Sequence, residues 1–549
     1  MKKIISILVV GLILFSSVAC SDKITIDKDK TQLYVYSYNG GIGNQWLLED
    51  IKGFEEMYKD VSFEEGKTGV QIIPDITQKV NGRAMVDTIA ASSYEVIFNE
   101  YVYYNEWVSK GLLLDISDIL NEENTDSKTI ASKLSAHQLE MLSIDGKVYA
   151  LPHYEAFRGV IYDVDLFEEE KLYFAKDRTY GDFILQSGDA RSAGPDGIYD
   201  TADDGLPATY EEFFELCDYM ADEKNITPFI WAGEQSSYTL FLAYALYETM
   251  AGADEAMLDY SFGVGAEGDA AYANIVRSFQ NGQPVVEKVK ISESNGYELK
   301  QTEAKYRALE FLFKIFNTDK YFYRDSMGNA TMSNRVAQES YIFSKLENKP
   351  VAMLIDGSFW EAEAQDSFSL SEMSFGDKAK NRNFARMALP GVYSGEVNEE
   401  NGKKQVLNNY INAYCGINAN IKPEKIELAK KFVQYCYSDA GLNQFTKSTG
   451  MTIGVDYELS ADTLSAMSGY SKNLYDLRRE SDVITMQSKS NLFISNEQTL
   501  GEYSNFWISG NYTYPINAFK AGQKSAEEYF KGMAISQERW ESLYGSFFQ

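Results

Sequence analysis

The sequence predicts an α/β protein of two lobes, and three observations carry that expectation. The chain has 549 residues, more than one compact core ordinarily holds, so two domains or lobes are the default. Over residues 33–98 strand-like and helix-like patterns alternate, as a βαβαβ unit with a parallel sheet requires. No internal repeat and no long linker separates the halves, so the lobes share strands instead of following one another as beads. Apolar content of 44% and charged content of 24% fit a globular protein.

The first unit reads in order. Residues 33–38 (LYVYSY) form a strand and 39–44 (NGGIGN) a glycine-rich loop. The next helix carries Trp46, Leu47, Ile51, Phe54 and Tyr58 at helical spacing. The loop lacks the Lys-Ser/Thr of a phosphate-binding loop and the full dinucleotide spacing, so it reads as a permissive turn. Such a turn can still offer backbone N–H groups to a ligand. Residues 70–73 are a second strand, 79–91 a helix and 95–98 a third strand. In parallel sheets ligands sit beyond the C-terminal strand ends, which puts Tyr38, Asn39, Asn99, Glu100 and Tyr101 at one rim. Each is otherwise a plain loop residue. Trp46 and Trp107 read as core.

Residues 145–163 (DGKVYALPHYEAFRGVIYD) are two β-prone pieces interrupted by Pro152. A proline removes a ladder donor, so the pieces meet at a bend. His153, Tyr154, Glu155 and Arg158 sit in it. Those side chains are what a ligand crevice needs; a bent edge strand with solvated side chains reads the same.

The segment 172–206 is rich in Gly and Asp. Asp196, Asp200, Asp203 and Asp204, set among glycines, can wrap a structural calcium through oxygen ligands. The spacing is not that of a twelve-residue calcium loop, and a solvated hairpin is the other reading. A cation there orders an insertion and does no chemistry. Thr209 then caps a helix with Glu211 and Glu212 in its first turn. Residues 226–238 (ITPFIWAGEQSSY) are strand then loop, with Trp231, Glu234, Gln235 and Tyr238 at the exit. An aromatic helix 239–250 follows. A long helical region that includes 304–316 leads to 351–360 (VAMLIDGSFW), a buried strand ending in Asp356, Gly357, Ser358 and the pair Phe359-Trp360. Residues 388–391 (ALPG) read as a short strand and turn. After 410–421 a helix over 423–437 starts on proline and places Ile426, Ala429, Phe432, Val433 and Cys436 on one face. The last third is mostly helical, with aromatic interruptions at 506–507 and 512–515, and ends in an amphipathic helix near 526–533.

Charge narrows the function classes. A formal net charge of −30 leaves no basic footprint for nucleic acid and none for anionic headgroups. Two histidines give little scope for His-based catalysis or a His-rich metal site. Lys2 and Lys3 precede an apolar run over 4–15, then Ser16, Ser17, Val18, Ala19 and Cys20. This is a targeting segment, too short for a membrane span of about 20 residues. Small residues before a cysteine resemble a lipoprotein signal-peptidase site, with Ser17 where the usual pattern has Leu. The expectation is a signal peptide over 1–19, lipidation at Cys20 and a tether over 20–32; a plain secretory signal is the alternative. Cys217, Cys415 and Cys436 fall on helix, strand and helix, as small buried hydrophobes do.

Five motifs in order resemble one family, the extracellular solute-binding proteins of sugar-type ABC importers, the maltodextrin-binding-like group. They are residues 94–120 (YEVIFNEYVYYNEWVSKGLLLDISDIL), 145–167 (DGKVYALPHYEAFRGVIYDVDLF), 207–220 with 226–233 (PATYEEFFELCDYM, ITPFIWAG), 346–360 (LENKPVAMLIDGSFW) and 414–455. Asp163 stands where that family usually has Asn. The resemblance implies a two-lobed, periplasmic-binding-protein-like (type II) fold, each lobe a mostly parallel sheet flanked by helices. It implies lobe I over 33–153 and 412–459, and lobe II over 154–411 (with the insertion 172–206) and 460–549. Residues 145–163 and 410–421 become crossings, and the ligand closes between the lobes as they hinge.

The same resemblance implies a lipid-anchored monomer on the extracytoplasmic face that captures a carbohydrate, an oligosaccharide, and passes it to membrane permease subunits. It implies no catalysis and no required cofactor. It places ligand contacts at Asn99, Glu100 and Tyr101, at Tyr154 and Glu155, at Glu234, Gln235 and Tyr238, at Ser358, Phe359 and Trp360, and at the late aromatic Trp507. Trp231, Asp356 and Asn39 join them as strand-exit residues. A pyranose, with apolar C–H faces and a hydroxyl fringe, independently asks for aromatic platforms beside carboxylates and amides. That juxtaposition recurs at four strand exits here. Two other readings stand beside this one. A secreted glycoside hydrolase needs two carboxylates about 5–10 Å apart; Glu155 and Glu234 are the pair to propose, and nothing in the sequence sets their spacing. A ligand-free structural lipoprotein needs a filled crevice.

Overall fold

The computed structural model describes residues 25–176, 183–184, 190–501, 506–508, 514–520, 522 and 524–548. The targeting segment and Cys20 lie outside the described residues. In chain order the strands are β1 (Thr31–Ser37), β2 (Val70–Asp75), β3 (Val96–Asn99), β4 (Ala150–Pro152) and β5 (Arg158–Asp163). Then come β6 (Thr227–Ile230), β7 (Tyr272–Gln280), β8 (Gln283–Lys290) and β9 (Val351–Gly357). β10 (Phe384–Arg386), β11 (Val406–Asn409), β12 (Tyr414–Ile417) and β13 (Asp482–Thr485) follow.

Two sheets organise the molecule. The first has the order β2-β1-β3-β12-β4 and the second β10-β5-β9-β6. β1 pairs parallel with β2 and β3, as the alternating N-terminal pattern requires. The helix Gln45–Met57 covers this sheet with Trp46, Leu47, Ile51 and Phe54 buried, so the βαβαβ unit forms where the sequence places it. The sheets are nevertheless mixed. β12 runs antiparallel to both β3 and β4, and β5 antiparallel to both β9 and β10. Each reversed strand is the one that arrives from the other lobe. It starts at the interlobe edge, where the co-directed strands end, so Tyr414 pairs with Asn99 and Pro152 and Arg158 pairs with Gly357. The C-terminal ends of the co-directed strands in both sheets therefore face the crossings.

The crossings lie side by side. His153 N–H donates to Ala413 O at 2.8 Å, and Ala156 N–H to Asn409 Oδ1 at 3.3 Å. A two-stranded parallel pair, β11–β13, stands next to them. The core of the first lobe continues past the crossings through Leu151, Ala156 and Phe157 into one face of the second sheet, at Ile161, Leu354 and Trp360. The opposite face of that sheet buries a separate cluster around Phe213, Phe229 and Trp231. Cys217, Cys415 and Cys436 are free and buried.

Several local expectations are corrected. The region read as continuously helical before 351 contains the antiparallel hairpin β7–β8. Asn281 (φ 51°) and Gly282 (φ 77°) form its two-residue turn, and positive φ at both central positions is what such hairpins demand. A bulge between Val276 and Ser278 breaks the alternation that marks a strand, and β8 is largely exposed. The helix expected over 79–91 begins at Gly82. The helix expected over 239–250 forms from Thr239, and beyond the non-helical Gly252 (φ 77°, ψ 165°) a second helical stretch carries the chain to Ser261. Residues 388–391 are not a strand: the Gln405 amide takes the place of a neighbouring strand, accepting from Leu389 N–H at 2.9 Å and donating to Leu389 O at 2.8 Å.

Candidate functional site

The bend after Pro152 turns two consecutive residues to opposite sides, as extended backbone does. Tyr154 points one way, and its hydroxyl donates to the Glu100 carboxylate at the exit of β3. Glu155 points the other way, into an ion pair with Arg478. On that second side a cavity of ≈ 1060 Å³ is bordered by Glu155, Arg478, Gln138, Met257 and Lys489.

The Tyr154 side is where the lobes meet over polar groups. From the first lobe come Glu100 and the glycine loop after β1. A Cβ on Gly40 would stand 2.0 Å from Glu100 Oε1, and one on Gly41 (φ 122°) 2.4 Å from Glu363 Oε1, so glycine lets this loop lie across the carboxylates of both lobes without displacing them. From the second lobe come Asp356, at the end of β9, and Glu363, in the short helix Trp360–Glu363. Gln338, wholly buried in the helix Asn334–Leu346, joins the two: its Nε2 donates to Asp356 Oδ2 and to Glu363 Oε2, both at 3.0 Å. Asn334 Nδ2 donates to Glu363 Oε2 at 3.1 Å, and the Gly357 N–H to Asp356 Oδ1 at 2.7 Å.

Burial sets the charge state of this group. It raises Glu100 to about 7 against the opposing hydrogen bond from Tyr154, with the Glu363 charge adding to the rise. Burial and then Glu363 raise Asp356 to about 8. Burial also raises Glu363 itself. Aromatic rings surround the carboxylates. Tyr101, 39% exposed and at φ 53°, projects from the first-lobe rim. Tyr238 stacks on Phe241 (4.9 Å between centroids, 25°), and Phe241 meets Tyr410 at 5.8 Å. Tyr238 lies within electrostatic reach of Asp356, Glu363 and Tyr101, which ties the two rims together. The Arg158 guanidinium is held between the rings of Tyr244 and Tyr410 at 4.1 and 3.9 Å, 4.0 Å from Glu248.

A family model described as bacterial extracellular solute-binding protein matches residues 45–442. The chain belongs to that family. Solved structures place the fold with it. The apo form of RafE from Streptococcus pneumoniae has a TM-score of 0.53 at 14% identity, covering 95% of this chain and 100% of its own. Maltose-bound MalE3 of T. maritima has 0.53 at 13%, covering 93% and 100%. A chitin oligosaccharide binding protein has 0.51 at 14%, covering 94% and 100%. The fold is thus the two-lobed type II arrangement. No curated protein sequence matches this chain. Among the described residues no helix is long and apolar enough to cross a membrane.

In this solute-binding protein the sequence-expected residues divide. Glu100, Tyr101, Tyr154, Tyr238 and Asp356 converge on the crossing. Phe359 is half-buried beside them, its ring against Gly357. Asn99 is buried with neither amide atom hydrogen-bonded. Glu234 and Gln235 are exposed on the loop before Tyr238. Trp507 is half-buried against the second core, edge-on to Tyr514 at 5.8 Å.

Other expectations are corrected. Trp231 and Trp360 are each 0% exposed. Trp231 packs on Phe316 and Phe322, and Trp360 on Tyr341, Phe368, Phe384 and Tyr470, so both are core and not ligand platforms. Ser358 is a clamp: its Oγ accepts from Phe157 N–H at 3.0 Å and its N–H donates to Phe157 O at 2.8 Å. Asn39 folds into its own loop, Oδ1 accepting from Gly41 and Gly43 N–H at 3.0 and 3.1 Å, so those N–H groups are not offered to a ligand. Glu155 does not join Glu100: it faces the other side of the crossing strand, held by Arg478 at the border of the cavity there. His153 is a core residue against Trp46, Phe98 and Phe445, pushed down to about 3 by burial. Trp46 and Trp107 are core as read.

The calcium expectation finds no ligand set. Asp196 Oδ1 accepts from Ile198 N–H, Asp203 Oδ2 from Asp196 N–H and Asp204 Oδ2 from Asp200 N–H, at 2.8, 3.1 and 2.9 Å. Backbone N–H groups of the turn itself thus take up an oxygen on each of Asp196, Asp203 and Asp204. Among the described residues no three acidic, His or Cys groups are placed to hold a metal ion. The residues that sequence reading missed are Glu363, Gln338, Asn334 and Tyr410. Glu363 follows the GSFW turn by three residues, one helical turn from a strand exit. Gln338 and Asn334 carry no such signal.

Proposed function

We propose that this chain is the lipid-anchored, substrate-binding component of an ABC importer, capturing a carbohydrate between its lobes and passing it to membrane permease subunits. The observation that carries this is the convergence at the crossing of carboxylates, amides and aromatic rims from both lobes. A ligand that touches Glu100 and Tyr101 on one side and Tyr238, Phe359 and Glu363 on the other stabilises the closed arrangement by its contacts to both. That MalE3 is described with maltose and another relative as binding chitin oligosaccharide supports a sugar. The protein binds without catalysis, as a monomer and without a cofactor; the Arg478 ion pair leaves Glu155 unsuited to act as a glycosidase carboxylate. Cys20 carries the lipid.

A thermal-unfolding screen against mono-, di- and oligosaccharides tests the ligand class. A saccharide at 100 times its Kd adds about 2.7 kcal/mol of stability and raises Tm. A screen in which peptides raise Tm and no saccharide does sinks the sugar reading. For the anchor, Cys20→Ala is expected to move the protein from the membrane fraction to the medium.

A further inference from the structure

We infer that the cleft is built for a ligand bearing positive charge, and that the group meeting Glu100, Asp356 and Glu363 is a protonated amine on a sugar ring. The inference rests on the carbohydrate reading above and narrows it.

The hydrogen-bond inventory is one-sided. Glu100 accepts from Tyr154; Asp356 from Gly357 and Gln338; Glu363 from Gln338 and Asn334. One Gln338 nitrogen is shared by two carboxylates. The other end of that amide, Oε1, is wholly buried and accepts nothing. Once the carboxyls are ionised, what is left over is acceptor capacity from three carboxylates and one amide.

Cations nearby do not answer it. Among the described residues none of the three carboxylates forms an ion pair with Lys or Arg. Arg158 is committed to its tyrosine rings and Glu248. Lys79 and Arg335 reach Glu363 only through the field. A metal is not the answer either, because the acidic groups are not disposed as a ligand set.

A sugar hydroxyl brings one donor and two acceptor lone pairs, so it leaves the charge and part of the acceptor excess unmet. An ammonium brings three donors and no acceptor, and its bonds to carboxylates are charge-assisted. The rims of Tyr101, Tyr238 and Phe359 suit such a ligand twice over, offering ring faces to sugar C–H groups and to a cation. Burial raises the carboxyls of Glu100 and Asp356, and an ammonium placed between them favours their ionised form, so binding releases the protons they hold.

Calorimetry on the mature protein at pH 6.5 tests this with four probes: the trisaccharide of glucosamine, its N-acetylated counterpart, maltotriose and spermidine. The glucosamine trimer is expected to bind at least about tenfold tighter than either neutral trisaccharide, and Glu363→Gln and Asp356→Asn each to shrink that ratio several-fold. Circular dichroism and thermal unfolding establish that both variants fold. A neutral trisaccharide that binds as tightly as the amine, or a preference untouched in both folded variants, overturns the inference and leaves the carbohydrate reading standing. Spermidine alone giving heat overturns the carbohydrate reading and, with it, the sugar-borne amine, while upholding the positive charge. No heat from any probe overturns both.

Discussion

Glu155 and Arg478, 323 positions apart in the chain, close one ion pair behind the crossing strand. Arg478 Nε donates to Oε2 and Nη2 to Oε1, the latter at 3.2 Å. The Arg478 side chain is 16% exposed and that of Glu155 3%. Glu155 holds Arg478 above its ordinary range. The neighbouring Tyr154 faces Glu100 at the exit of β3, so two consecutive residues serve opposite sides of the crossing strand.

Arg478→Met is expected to strand a buried carboxylate on the crossing. Breaking a buried pair from one side costs about 3–5 kcal/mol. Urea unfolding should show a lower midpoint at unchanged slope; a loss below about 1 kcal/mol, the worth of an exposed pair, refutes the anchoring role.

The adjacent aromatics separate packing from recognition. Trp360→Ala removes a wholly buried side chain and should cost about 3–5 kcal/mol of stability. Phe359→Ala should leave most of the stability and weaken ligand binding by about 1 kcal/mol, roughly fivefold in Kd. Denaturation and calorimetry on the two variants read both effects. The reverse pattern would return Trp360 to the ligand surface.

Carboxyls raised in the folded protein tie stability to pH. Glu100 at about 7 and Asp356 at about 8 bind protons in the native state that the unfolded chain releases. Their contribution is full below the ordinary carboxylate range and disappears as pH rises through 7 to 8. Glu248, Glu255 and Glu497, raised by burial to about 7, 7 and 8, act in the same sense. Lys300, lowered by burial to about 7, works the other way. Tm is expected to fall between pH 6 and 8.5, and Asp356→Asn to flatten that fall. An unchanged slope in the variant contradicts the assignment.

The helix Glu303–Phe316 is fastened to its neighbour by a dry ion pair. Lys305 Nζ donates to Asp259 Oδ1 at 2.8 Å and to Leu299 O at 2.9 Å, and Tyr247 Oη donates to Asp259 Oδ2 at 2.7 Å. Lys305→Met alone should cost about 3–5 kcal/mol, and Lys305→Met with Asp259→Leu should recover most of it, because the unpaired charge is removed. Chemical denaturation of the single and double variants measures the difference.

Legibility followed the range of the interactions. The strand exits at Glu100, Tyr101, Tyr154, Tyr238 and Asp356 could be marked because a strand's end and its aromatic or acidic neighbours are local in sequence. Trp231 and Trp360 looked the same locally, but each turns inward, and only packing partners from distant segments decide that. Gln338 lies mid-helix among ordinary helix residues and acquires its role from Asp356 and Glu363. The hairpin β7–β8 escaped reading because its bulge and solvated faces erase the two-residue alternation, although its Asn281-Gly282 turn was in view.

The sequence by itself determined the alternation of strands and helices, the break at Pro152 and the strand exits, since each depends on backbone period and turn chemistry within a few residues. Tertiary structure alone decided which side of the crossing strand meets Glu100 and which meets Arg478. It also decided that β5 and β12 run against their neighbours and that three carboxylates share one buried space. Those outcomes depend on where segments hundreds of residues apart come together, and local periodicity carries no record of that.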